Sequence, residues 1–145
     1  MATRSSQLKT IFLGVFGVLM MLSLSSCTQK ITFLNSSVVP AARGYVEIKT
    51  DKNKNNVIDI HVTDLAEVQR LQPARQTYVV WMVTDQNETK NMGQLKSASS
   101  MLSKQLKASF ESVTAFKPTR IFITAEDDAN TQYAGDQIVL STSSF

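Results

Sequence analysis

Two runs of strictly alternating hydrophobicity, separated by a short polar stretch, constrain the fold of this chain more than any other feature. Tyr45-Val46-Glu47-Ile48-Lys49-Thr50 sets Val46 and Ile48 on one side and Glu47 and Lys49 on the other. Val57-Ile58-Asp59-Ile60-His61-Val62 repeats the pattern with Ile58, Ile60 and Val62 together. Successive side chains of a strand point to opposite faces, so each run reads as a strand with one buried side. The intervening Asp51-Lys52-Asn53-Lys54-Asn55-Asn56 is polar, turn-forming sequence, and the whole predicts a hairpin.

Beyond Leu71-Gln72-Pro73, which reads as a loop, Thr77-Tyr78-Val79-Val80-Trp81-Met82-Val83 is apolar on both faces and rich in β-branched and aromatic residues. Such a run suits a central strand covered from both sides. Arg120–Ala125 and Gln137–Ser141 look like further strands, joined by Glu126-Asp127-Asp128-Ala129-Asn130 and by Gly135-Asp136. Between Leu95 and Phe110 the apolar residues fit a helix through Leu95, Ala98, Leu102, Leu106 and Phe110. They also fit a strand face through Leu102, Leu106, Ala108 and Phe110. Strand surroundings and the lack of helix caps favour strand from about 103 to 112. The expected fold is an all-β antiparallel β-sandwich, immunoglobulin-like or cupredoxin-like, over 43–145. Residues 27–42, with the apolar patch Ile31-Thr32-Phe33-Leu34, read as a tether or a first edge strand.

The first 26 residues carry Arg4 and Lys9, then an uncharged apolar run from Ile11 to Leu24, then small residues, the layout of a secretory signal. The apolar run holds 24 − 10 = 14 residues, whereas a membrane-crossing helix needs roughly 20. A cleaved signal is therefore expected. Leu24-Ser25-Ser26-Cys27 at its end resembles a bacterial lipobox, which implies acylation of Cys27, cleavage before it, and anchoring in the cell envelope by fatty acids such as palmitate. Thr28 lacks the aspartate associated with inner-membrane retention, so the periplasmic face of the outer membrane is favoured if the cell has two membranes.

Cleavage leaves 145 − 26 = 119 residues, enough for one domain. It also removes Arg4 and Lys9, so that 15 − 2 = 13 basic residues face 12 acidic ones and the charge falls from +3 to +1. The pI near 9.1 thus belongs mostly to the export segment, and the remainder has no basic stripe to attract nucleic acid. With the single cysteine acylated, the mature domain has no thiol for a disulfide, a metal or a nucleophile.

Thr77–Val83, then Met92-Gly93-Gln94-Leu95, then Ile121-Phe122-Ile123-Thr124-Ala125-Glu126 and Ile138-Val139-Leu140, resemble the C-terminal extracytoplasmic domain of anti-sigma-K factors. The likeness spans about Gly44 to Ser141. It implies a tyrosine/tryptophan strand, a glycine strand, an apolar-threonine-x-glutamate strand and a last apolar strand, placed outside the cytoplasm. In that family a glycine-rich, proline-containing loop follows the glutamate; here residues 127–135 hold one glycine and no proline. The family's sigma-binding domain and membrane helix have no counterpart ahead of the signal, so sigma binding is not expected.

Four groups are candidates for chemistry. Asp51, Asn53 and Asn55 have the 1-3-5 spacing of a calcium loop, with Asn56 placed to take a left-handed conformation. Val62 stands where a bidentate glutamate belongs, and Lys52 and Lys54 repel a cation. His61, the single histidine, has Asp59 as its local partner for acid/base work. Glu126, Asp127, Asp128 and Asp136 could hold a cation or a basic partner, the alternative being a solvated loop. Trp81 with Tyr78 could line a sugar or peptide groove, the alternative being core. No phosphate loop, nucleophile elbow or zinc spacing is present. The expectation is a lipid-anchored, non-enzymatic envelope protein without cofactor that acts through protein contact; the alternative is a carrier of a small ligand or cation.

Overall fold

The structure, a computed structural model, describes residues 28–98 and 106–145. Residues 1–27 and 99–105, Cys27 and Leu102 among them, lie outside the described residues. The chain forms an all-β antiparallel sandwich: β1 Gln29–Thr32, β2 Arg43–Thr50, β3 Asn56–Leu65, a 3-10 turn at Val68–Arg70, β4 Thr77–Thr84, β5 Thr89–Gln94, β6 Lys96–Ala98, β7 Leu106–Thr114, β8 Pro118–Glu126 and β9 Ile138–Ser141. One sheet runs β1-β2-β3-β7-β6 and the other β5-β4-β8-β9.

The expected hairpin is β2–β3, with Val46 opposite Ile60 and Ile48 opposite Ile58, so the apolar sides of both runs coincide. Those side chains meet Tyr78, Val80, Met82, Ile121 and Ile123 from the second sheet in one core. Complete burial of an aliphatic side chain such as Ile60 or Val80 contributes about 1.5–3 kcal/mol. The segment from 106 onward is strand, paired with β3 from Asn56↔Thr114 to Leu65↔Leu106. Residues 28–42 join the sandwich: β1 extends the five-stranded sheet, and Phe33, Val39 and Ala42 are buried in its core. Of the two readings, tether or first edge strand, Gln29–Thr32 takes the second, because this short patch has an unpaired β2 edge to complete.

β4 is buried almost throughout, and its two faces have different covers. Even-numbered residues face the other sheet. Odd-numbered Val79 and Trp81 form a second cluster with Phe122 on the outer side, against Val83, Ala129 and Ala134. The connection between β8 and β9 supplies the latter pair and folds back as a lid on its own sheet. In β5, Gly93 has φ +121° at a bulge where Val80 pairs with Gly93 and Trp81 with Asn91. A side chain is strained at that φ, which gives the glycine at this position a backbone reason.

At the end where the chain enters β1 lie the turns 51–55, 85–88 and 115–117; at the far end lie residues 33–42, 66–76 and 127–137.

Candidate functional site

Trp81 is wholly buried, stacked on Phe122 at 6.2 Å between ring centroids. Its Nε1–H donates to Thr124 Oγ1 at 2.8 Å. Thr124 donates onward to Glu126 Oε1, which also accepts the Gly135 N–H at 2.8 Å. The threonine-x-glutamate pattern thus forms a relay that ties a core indole to the lid, and Glu126 is occupied by its own fold. Asn91 pins the other side of the lid, donating to the Ala129 and Thr131 carbonyls at 2.9 and 2.8 Å while accepting the Gly93 N–H at 2.8 Å. Arg75 closes it with Asp127 at 2.6 Å and Gln137 at 3.2 Å. The acidic segment is consequently a solvated loop that is also latched as a cover over Trp81. Asp128 and Asp136 are exposed. Tyr133, at 83% exposure, stands out from the lid.

Tyr78 and Trp81 sit on opposite sides of β4, three residues apart in a period-two element, and so cannot line one groove. Tyr78 faces the inner cleft and donates its hydroxyl to the Ala66 carbonyl at 2.9 Å. Burial pushes its hydroxyl up to about 12 from 10.0. The neutral form is the one favoured by folding, so this stability is complete below pH 10 and lost as pH rises toward 12. Alkaline urea titration should show unfolding made easier by up to about 2 kcal/mol over that window, discounted for partial solvation. The slope should disappear in Tyr78→Phe.

His61 and Asp59 lie on the outer face of the five-stranded sheet, with Nε2 and Oδ1 3.2 Å apart and both side chains open to water. Register places Lys30, Glu47, Asp59 and Glu111 in one cross-strand row. Tyr45, His61, Ser109 and Lys96 occupy the next. Lys30 bridges the rows, 3.6 Å from the Tyr45 ring centroid and 3.9 Å from Glu47. Tyr45 and His61 lie 5.0 Å apart. Asp59 directly opposite Glu111 is a like-charge pair, which costs stability unless a cation faces it. A groove of about 470 Å³ runs along this face, lined by Asp59, His61, Gln94, Lys96, Ser109 and Glu111 among others. Its chemistry is that of a charged contact surface with donors and acceptors in fixed rows.

At the hairpin tip, Asp51 Oδ1 accepts the Asn53 and Asn55 N–H groups, each at 2.8 Å, and Oδ2 accepts Asn55 Nδ2 at 3.2 Å. The Asn55 backbone bond leads the causes that hold the Asp51 carboxyl below its usual value. Asp51, Asn53 and Asn55 are engaged with one another as a turn. Lys54, with φ 66°, takes the left-handed position expected of Asn56, which instead begins β3. Among the described residues, no group of three or more histidine, cysteine, aspartate or glutamate side chains is placed to hold a metal ion. No helix among them is long and apolar enough to cross a membrane.

Sequence reasoning missed Asn91, Arg75 and the relay through Glu126. The lid partners of Asn91 and Arg75 and the Trp81–Thr124 bond span tens of residues, and although Thr124 and Gly135 lie near Glu126 in sequence, nothing local announces that they meet. Comparison with protein-family models, curated proteins and solved structures finds no match. The class that fold and site define is an antiparallel two-sheet β-sandwich with one latched outer lid and one charged, open face.

Proposed function

We propose that this chain is the precursor of a lipid-anchored, non-enzymatic envelope protein that acts through protein contact, with its acyl chains on Cys27. The observation that carries this reading is Leu24-Ser25-Ser26-Cys27 at the end of a charged-then-apolar segment too short to span a bilayer. The strand order of motifs supports a module similar to the extracytoplasmic domain of anti-sigma-K factors. For the contact itself, Tyr133 has the properties of an interface anchor: an exposed aromatic on a segment already pinned by Asn91, Arg75 and Glu126, which loses little freedom on binding.

In cells fed an alkyne palmitate, the wild type should carry label and yield a mature protein beginning at acylated Cys27. Cys27→Ala should lose the label entirely and keep residues 1–26. Recovery of the wild type with Cys27 unmodified inside an uncleaved chain would falsify the anchor. Photo-crosslinking from position 133 should then capture a protein that the same probe at Lys107 does not. The groove beside His61 favours a second reading, a carrier of a small ligand. A melting shift of several degrees with a small molecule, abolished by His61→Ala, would select the carrier.

A further inference from the structure

We infer that the chain-entry end of the sandwich lies flat on an anionic bilayer, with the hairpin tip and the β7–β8 turn seated among lipid phosphates. This rests on the acylation of Cys27 proposed above. Strand β1 starts at Gln29, and two Cα–Cα steps span at most about 7 Å. An anchor at residue 27 therefore leaves no linker, and the end of the domain that carries Gln29 must sit at the headgroups.

Topology decides what else is at that end. Gln29 pairs with Ile48, two residues short of the end of β2, so the turn 51–55 stands beside the entry point. Asn56 pairs with Thr114 and its Nδ2 donates to the Phe116 carbonyl, which brings the β7–β8 turn alongside. Asp85 N–H donates to the Lys117 carbonyl and adds the β4–β5 turn.

The charges on these turns fit the occupant. Lys49, Lys52, Lys54, Lys90 and Lys117 are all here. Of the carboxylates, Asp51 is turned into its own loop, Glu47 is paired with Lys49 at 3.4 Å and Glu88 with Lys90 at 2.8 Å, and Asp85 remains, which leaves Lys52, Lys54 and Lys117 as the unpaired cations among the described residues of this end. Phe116 and Val113 are exposed at 45% and 56%, and Lys90 lies 4.2 Å over the Phe116 ring. Exposed aromatic and aliphatic side chains ringed by lysines are the composition that settles into a headgroup layer. The opposite end carries Asp64, Glu67, Glu126, Asp127, Asp128 and Asp136 against Arg43, Arg70, Arg75 and Lys107, with Glu67 paired to Arg70 at 2.7 Å and Asp127 to Arg75 at 2.6 Å, and its acidic excess is disfavoured at an anionic surface. The polarity also turns Tyr133 and the lid away from the lipid, toward a partner.

The test uses the full mature lipoprotein, its acylation verified by intact mass, reconstituted in vesicles of phosphatidylethanolamine with roughly one quarter phosphatidylglycerol. An impermeant amine-reactive reagent is applied, and labelling is compared with that in detergent and in phosphatidylcholine vesicles. Lys52, Lys54 and Lys117 should slow by about fivefold in the anionic vesicles, while Lys107 at the far end keeps its rate. Lys52→Glu with Lys117→Glu, both exposed positions in turns, should keep the melting temperature and restore fast labelling at Lys54. Acylated protein whose tip lysines label as fast as Lys107 in anionic vesicles overturns the orientation alone. Absence of acyl mass on Cys27 overturns the anchor, and the orientation with it.

Discussion

Replacing Trp81 with alanine should lower the free energy of unfolding by about 4 kcal/mol, the range for a large aromatic removed from a core. Three losses combine. The indole is wholly buried, its stack with Phe122 is removed, and Thr124 Oγ1 loses the N–H that it accepts. Its other face is covered by Ala129 and Ala134 of the lid, so the void opens beneath a segment held mainly by hydrogen bonds. Trp81→Phe separates the terms: the apolar contact is largely kept and the donor is lost, for an expected cost of about 1–2 kcal/mol. Urea midpoints of the two variants measure the difference. If Trp81→Ala unfolds within about 1 kcal/mol of the wild type, this outer cluster is not a core. Hydrogen exchange should show the 127–137 amides losing protection in Trp81→Ala before those of β2 and β3.

Gly44→Ala should cost about 3 kcal/mol, near the upper end for overpacking. A Cβ at this position would run into the His61 carbonyl oxygen and stand 3.2 Å from Val62 Cα, both backbone atoms of the paired strand. Side chains can rotate away from a new methyl group; a hydrogen-bonded neighbouring strand cannot. The strain should spread to β1, because Phe33, whose ring is 3.2 Å from the same point, also donates its N–H to the Gly44 carbonyl at 3.0 Å. The measurement is again a denaturation midpoint, with near-ultraviolet circular dichroism to follow the Phe33 surroundings. A variant as stable as the wild type would mean that β2 and β3 can separate at Gly44 without loss.

The two sites differ in how far they can be read from sequence. Trp81 is flagged by its flanking residues: Val79-Val80-Trp81-Met82 is apolar on both sides, and such a run has to be covered twice. What covers its outer side is not flagged, since Glu126-Asp127-Asp128 resembles any polar turn. The lid becomes visible only when Asn91 and Arg75, from β5 and the loop before β4, are seen to hold it. Gly44 gives no local signal at all. Its need for a bare Cα arises from the carbonyl of His61 across the strand pair.

Among the candidate sites the same contrast recurs. His61 and Asp59 share a face because residues two apart in a strand must, and they meet at 3.2 Å. Asp51, Asn53 and Asn55 also come together by local chemistry, as a turn in which the aspartate accepts from the backbone that follows it. By contrast, Glu126 changes from a member of an acidic cluster to the acceptor of Thr124 and Gly135, a role that depends on the lid folding back.

Sequence by itself determined which residues lie inside and which outside in β2 and β3, because a period of two fixes the face of every side chain once one face is apolar. It determined the hairpin for the same reason, and the central position of Thr77–Val83 because that run is apolar on both faces. Tertiary structure decided the order of the strands, with β3 against β7 and β4 against β8, and the recruitment of Gln29–Thr32 as an edge. It also decided which lysines gather around the point of chain entry. Alternation tells a strand which way to face and says nothing of its neighbour. Neighbours are selected by burying many apolar faces at once, a condition that no single segment of the chain contains.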